Sequence, residues 1–182
     1  MTTNSKTTNK TALHDNRTTA ATAPEIHVKA VSKAHRDVPF IDCLTDLWRD
    51  SVVSTHHFLQ CNDIRELTPY VVQALQSIPF LYVAYSDGRP VAFMGIDGNK
   101  IEMLFISPSH LRHGIGKCLV KLAIQEHNAA LVDANEQNTQ AVLFYRHMGF
   151  EVVGRTETDG QGNPFPILEM RLGDRCNPAG KE

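Results

Sequence analysis

Three strand-like runs follow one another with no helix between them: FLYVAYS (80–86), RPVAFMGI (89–96) and KIEMLFIS (100–107). Asp87-Gly88 separates the first pair and Asp97-Gly98-Asn99 the second. Asp-Gly suits a tight hairpin because glycine, and less often aspartate, accepts the positive φ that such turns require. The middle of the chain is therefore committed to an antiparallel three-strand meander.

Around that meander the hydrophobic period alternates. IHVKAV (26–31) alternates apolar and polar residues, as a half-buried strand does. Phe40, Leu44, Leu47 and Trp48 recur at helical spacing after Pro39, with Asp37 placed to cap the helix. Ile64, Leu67, Val71, Val72 and Leu75 predict a second helix, capped by Asn62 or Asp63 and stopped by Pro79. After the meander, Ile115, Leu119, Leu122, Ala123 and Ile124 form one apolar helical stripe. The strand ALVDAN (130–135), a helix from Asn138 to His147 ended by Gly149, and the strands FEVVGRTET (150–158) and FPILEMRL (165–172) around a polar DGQGN turn complete the chain. The order β-α-α-β-β-β-α-β-α-β-β is mixed α/β, not a simple doubly wound sheet.

Composition bounds what such a domain can do. The chain has 182 residues, 42% of them hydrophobic, enough for one domain with a real core. A formal net charge of -2 leaves no basic surface for a polyanion, so no nucleic-acid partner is expected. No apolar run approaches the roughly 18 residues of a membrane span, and the N-terminus lacks a secretory apolar core, so no membrane partner is expected either. Four scattered cysteines without Cys-x-x-Cys spacing argue against a zinc ribbon or disulfide framework and suit a reducing cytoplasm. Neither His56-His57 nor the His110 and His113 pair has the partners of a metal site, so no metal is expected. Residues 1–24, rich in Thr and Asn, are expected to form a disordered tail, 25–173 the folded domain, and 174–182 a flexible C-terminal tail.

The stretch HLRHGIGKCLVKLAIQ (110–125) carries Gly114 and Gly116 at the mouth of a helix. Glycines there let backbone N–H groups approach an anion, assisted by the helix dipole, but they also simply allow a strand to turn into a helix. A P-loop is excluded because Leu111 and Cys118 stand where that motif needs Gly and Ser or Thr. A Rossmann fingerprint fails because its third glycine falls on Leu119.

LFISPSHLRHGIGKCLV together with NEQNTQAVLFYRHMGF (135–150) resembles the GNAT superfamily of acyl-CoA-dependent N-acetyltransferases. The resemblance covers about residues 26–172 and is closest to the small stand-alone bacterial members. It implies a central mixed, mostly antiparallel sheet of about seven strands flanked by about four helices. It also implies acetyl-CoA as co-substrate and direct transfer of the acetyl group to a primary amine, on a small molecule or a protein lysine, in a ternary complex. The alternative on the same fold is a non-catalytic CoA-binding or interaction module. A monomer and a homodimer are both compatible with the sequence.

The family's pyrophosphate loop reads Gln or Arg, any two residues, Gly, any residue, then Gly or Ala. Gly114 and Gly116 fit, Leu111 departs, and Arg112 lies one place later. Main-chain N–H groups from Arg112 through His113, Gly114, Ile115 and Gly116 to Lys117 are thus the implied phosphate donors. Backbone groups of Leu104, Phe105 and Ile106 are implied to hold the pantetheine arm and the oxyanion. Asn138 matches a cofactor-contacting asparagine, with helix capping as its other reading. Tyr145 matches the family's general acid, although Ala141, Phe144, Tyr145 and Met148 also form a core stripe. For the general base two candidates stand: Glu102 on the central strand, through a water, and His56, near the first helix.

Overall fold

The computed structural model describes residues 25–173, and the two expected tails lie outside them. Among the described residues there are seven strands and four helices, in the order read from the sequence. They are β1 (Ile26–Ala30), α1 (Val38–Thr55), α2 (Cys61–Ser77), β2 (Phe80–Ser86), β3 (Arg89–Asp97), β4 (Lys100–Ile106), α3 (Ile115–His127), β5 (Leu131–Asn135), α4 (Thr139–His147), β6 (Phe150–Thr156) and β7 (Ile167–Leu172). One seven-stranded sheet runs β1-β2-β3-β4-β5-β7-β6. Every neighbouring pair is antiparallel except β4 with β5, which is parallel.

The meander forms where Asp-Gly demands it: Asp87 and Gly88 take φ of 48° and 76°, both positive as a primed two-residue hairpin requires. Helices cover both faces of the sheet. Ile41, Leu44, Trp48 and Val52 of α1 and Ile64 and Leu75 of α2 pack on Leu81, Val83 and Phe93. Ile115, Leu119 and Ala123 of α3 and Val142 and Tyr145 of α4 pack on Ala92, Met94, Val132 and Met170. β3 is buried over Val91–Ile96 because it lies between both layers.

Helix ends follow the local chemistry with one revision. The Asp37 carboxylate accepts the Phe40 N–H at 3.0 Å, as expected of a cap. For α2, however, the cap position is Gln60, not Asn62 or Asp63. Asp63 lies within the first turn and its carboxylate reaches back to accept the Gln60 N–H at 2.7 Å. An acidic residue at that third position accepts the N–H of the cap residue instead of one within the first turn, and residue type alone does not distinguish the two roles. Pro69 lies inside α2, which continues past it to Ser77.

The C-terminal end of α2 is satisfied by a distant side chain. The buried Arg36 guanidinium donates through Nη1 to the carbonyls of Leu75 at 3.1 Å, Gln76 at 3.4 Å and Ile78 at 2.7 Å, and through Nη2 to Val31 at 3.1 Å. One planar donor thereby closes the orphan carbonyls of α2 and ties them to the end of β1. Arg36→Ala leaves those carbonyls without a donor and is expected to destabilise the fold by about 2–4 kcal/mol. Urea unfolding followed by circular dichroism checks this, and a midpoint equal to the wild type's would remove Arg36 from that role.

Candidate active site

β4 and β5 pair through only two residue pairs, Lys100 with Leu131 and Ile101 with Val132. β5 pairs with β7 along its whole length, from Leu131 with Arg171 to Asn135 with Ile167. Beyond Ile101, the β5 side of β4 therefore has no strand partner, and alternate backbone groups of residues 102–106 face a cleft. Leu104, Phe105 and Ile106, the expected backbone donors, line this free stretch and are half-buried.

The root of the cleft is fastened and re-aimed by β4 itself. Lys100 Nζ lies 2.7 Å from Asp133 across the last paired rung and 3.4 Å from Glu102. Burial works against the charge on Lys100, but the hydrogen bond it donates to Asp133 and the charges of Glu102 and Asp133 outweigh it and raise its pKa. The β3–β4 register passes from Ile96 opposite Ile101 to Gly95 opposite Met103, which makes Glu102 the extra residue of a β-bulge. The bulge switches the face that side chains take: Ile101 packs in the α3–α4 layer, whereas Met103 and Phe105 pack in the α1–α2 layer.

Above the cleft lies the glycine loop. Gly114, at φ 80°, caps α3 without any side-chain hydrogen bond, and the first helical bond runs from the Cys118 N–H to the Gly114 carbonyl at 3.0 Å. The N–H groups of Ile115, Gly116 and Lys117 thus have no intrahelical partner. A Cβ on Gly114 would meet nothing within 4 Å, so glycine is required there by backbone conformation and the space over the loop is open. Gly116 differs: a Cβ would lie 3.2 Å from both Ile106 Cδ1 and Phe144 Cζ. Its missing side chain lets α3 approach β4 and α4. Arg112, itself at φ 65°, and Lys117 are exposed beside the loop, while the His113 ring is tied back through Nδ1 to the Leu111 carbonyl at 2.9 Å.

On the other side of β4 a cavity of about 330 Å³ opens between α1, α2 and the β6–β7 connection. Trp48, His56, Phe58, Tyr70, Glu102 and Phe165 are among its lining residues. Phe165 packs on Phe58 with centroids 5.6 Å apart, and Phe58 on His56 at 5.5 Å. The connection holds Phe165 there because Asp159 accepts the backbone N–H groups of Gln161 at 2.9 Å and Asn163 at 2.8 Å. The strand expected over 165–172 begins only at Ile167, so Phe165 lies in the connection instead, and the sequence assigned no site role to Phe165 or Phe58; a lone aromatic beside a turn carries no periodicity. A separate cavity of about 360 Å³ between α1 and α2, lined by Arg49, Val53, Cys61 and Arg65, contains none of the predicted residues.

His56 and Asn138 sit where the two sides meet, and Tyr145 lies further along α4 in the core of that layer. The Asn138 carbonyl Oδ1 accepts the Ala141 N–H at 3.1 Å, so the capping reading holds, and its amide nitrogen lies 3.3 Å from His56 Nε2. Burial, followed by the charge of His57, lowers the His56 pKa to about 4, so the ring is neutral at pH 7. Tyr145 is 6% exposed and lies edge-on to Phe150, with Phe144 beside it. Burial pushes its phenol above the ordinary tyrosine range, which keeps the proton on oxygen at neutral pH. Among the described residues, no group of three or more His, Cys, Asp or Glu side chains is arranged to hold a metal ion. No helix of the described residues is long and apolar enough to cross a membrane.

A sheet parted beside a glycine-led helix is the arrangement that the resemblance to acetyltransferases implied, and comparison with known proteins agrees with that fold. The family model for the acetyltransferase (GNAT) domain matches residues 53–172, and the chain belongs to this family of acetyltransferases. It is similar to the peptidyl-lysine N-acetyltransferase YjaB of Salmonella typhimurium, 44% identical over 128 residues that span 70% of this chain and 88% of that one. With YjaB of Escherichia coli it is 37% identical over 127 residues, 70% of this chain and 86% of that one. The solution structure of apo-form YjaB from Escherichia coli superposes with a TM-score of 0.71 at 34% identity, covering 81% of this chain and 97% of that chain. The PaiA N-acetyltransferase of Thermoplasma acidophilum, in a structure with coenzyme A, shares the fold with a TM-score of 0.58 at 20% identity over 81% of this chain and 99% of that chain.

The His56 environment has a measurable consequence for stability. Its folded pKa of about 4 lies below the unfolded value of 6.5, so unfolding at intermediate pH takes up a proton. The stabilisation from keeping the ring neutral is present above pH 6.5 and is lost as pH falls toward 4, on the order of 3 kcal/mol in all. His57, Glu102 and Asp159 are the other titratable groups nearby. Comparing denaturant midpoints of wild type and His56→Gln from pH 7 to 4 isolates the imidazole. The wild type is expected to lose more stability than the variant over this range, and parallel curves would refute the assignment.

Proposed function

We propose that this protein transfers the acetyl group of acetyl-CoA directly to the side-chain amine of a lysine in a polypeptide, in a ternary complex in the cytoplasm. The parting of β4 from β5 carries the reading. It leaves backbone donors between a helix N-terminus on one side and a cavity containing a carboxylate on the other. The names of the similar proteins, peptidyl-lysine N-acetyltransferases, favour a protein lysine over a small amine.

The loop fits the diphosphate of such a co-substrate. The N–H groups of Ile115, Gly116 and Lys117 have no intrahelical partner beside the open space over Gly114, and main-chain donors do not depend on the residue at Leu111, which accounts for that departure. Arg112, His113 and Lys117 supply positive charge or further donors, and Asn138 closes the same side from α4. Leu104, Phe105 and Ile106 present backbone groups to the pantetheine arm, and one N–H stabilises the negative charge that develops on the thioester oxygen.

In the cavity the aliphatic stem of lysine lies along Phe58, Phe165 and Trp48, and its nitrogen approaches Glu102. Glu102 accepts the ammonium proton through a water, which frees the nitrogen lone pair to attack the carbonyl carbon. As the carbon–sulfur bond breaks, the Tyr145 hydroxyl donates its proton to the departing sulfur, the surplus proton on the former amine nitrogen passes to the tyrosine oxygen, and Glu102 releases the first proton to solvent, which leaves a neutral amide and the CoA thiol. Most of the rate comes from holding the reactants together in this geometry.

Isothermal titration with acetyl-CoA, followed by a CoA-release assay on lysine-containing peptides, tests the whole reading; a folded protein that binds no acetyl-CoA would overturn it. Tyr145→Phe is expected to lower kcat by about 10- to 1000-fold with acetyl-CoA affinity nearly unchanged, and unaltered turnover would remove the acid role. Glu102→Gln is expected to lower kcat/KM for the peptide by about 100-fold at neutral pH, with partial recovery at higher pH where the free amine is more abundant. A rate independent of the substitution would assign the base elsewhere.

A further inference from the structure

His56 invites the role of general base, but its hydrogen bonds assign it a different one. The Thr55 hydroxyl lies 2.7 Å from the Ser51 carbonyl, which can only accept, so the one hydroxyl proton is committed there. Toward His56 Nδ1, 2.8 Å away, the Thr55 oxygen can then only accept, and Nδ1 must carry the hydrogen. In the neutral ring this leaves Nε2 bare. From the opposite side, Asn138 has its carbonyl engaged by the Ala141 N–H, so the atom it turns to His56 Nε2 is the amide nitrogen, a donor. Both ends of the chain of bonds, read independently, require the same tautomer.

We infer that His56 is a positioning residue: as a neutral acceptor at Nε2 it holds the Asn138 amide, and with it the start of α4, against the wall of the acceptor cavity. This rests on the transferase reading proposed above. The lone pair that a base would need is occupied, and protonating it would set an N–H against the Asn138 amide. Burial of the ring favours the neutral form in the same sense. The bond joins residues 82 apart in the chain, one at the end of α1 on the acceptor side and one at the cap of the helix that carries Tyr145. Phe58, packed on His56, and Phe165 beyond it flank the junction from the cavity.

The direct test is long-range proton–nitrogen correlation NMR of the 15N-labelled wild-type protein at pH 7. His56 is expected as the Nδ1–H tautomer with an unprotonated Nε2; an Nε2–H tautomer or a doubly protonated ring overturns the inference. The functional test compares His56→Ala with His56→Gln, since a glutamine carbonyl can accept from Asn138 but cannot take a proton from substrate. His56→Ala is expected to raise the acetyl-CoA dissociation constant and lower kcat, each by about 5- to 10-fold, and His56→Gln to bring both within about threefold of wild type. A His56→Gln protein that binds acetyl-CoA normally yet is as slow as His56→Ala would make the ring a proton acceptor and sink the inference. If the wild type binds no acetyl-CoA, the transferase reading fails, whereas the tautomer measurement needs no ligand and judges His56 on its own.

Discussion

Everything in this domain is arranged around two strands that start together and then separate. An unpaired strand flank inside a sheet exposes peptide N–H and C=O groups that must find partners, so a sheet opens in its middle only where something else meets those groups. Here β5 is drawn away because it pairs fully with β7, while β4 stays with β3. Lys100, bonded to Asp133 across the last shared rung, marks where the separation begins. Glu102 follows immediately as a bulge in the β3–β4 ladder and lines the cavity beside β4.

The two sides of the cleft are built from different materials. The glycine-loop side is mostly backbone: a left-handed glycine, a helix turn without a side-chain cap, and a strand flank. Such donors are insensitive to side-chain identity, so a leucine at position 111 leaves them in place. The cavity side is built from side chains brought from α1, α2 and the β6–β7 connection. Gly116 also serves the fold, because its missing side chain lets Ile106 and Phe144 close on the helix. The two sides touch at His56 and Asn138, where a cap of α4 is also a ligand of the α1 terminus.

Much of the fold was legible because its signals are local. Asp-Gly pairs specify hairpins, Asp37 specifies a helix start, and alternating or helical periodicity assigns the remaining elements. The α2 cap was misplaced since Asp63 reads alike as a cap or as a partner reaching back to one. Tyr145, Asn138 and the glycine loop were legible as candidates only because two motifs together resembled a family; residue types alone left each with a structural reading, and for Asn138 and Gly116 that reading also holds. Phe58, Phe165 and the bond between His56 and Asn138 had no signal at all, for they depend on segments far apart in the chain.

The sequence by itself determined the order and type of the elements, the hairpin meander, and the family to which the chain belongs, because backbone conformation and amphipathic burial are written in neighbouring residues. Only the tertiary structure decided how far β4 and β5 stay paired, that Glu102 is a bulge, and that His56 faces an asparagine amide instead of solvent. These depend on register, packing distance and hydrogen-bond direction between elements. Such quantities come into existence only when the layers close, and the chemistry of the site is set by them.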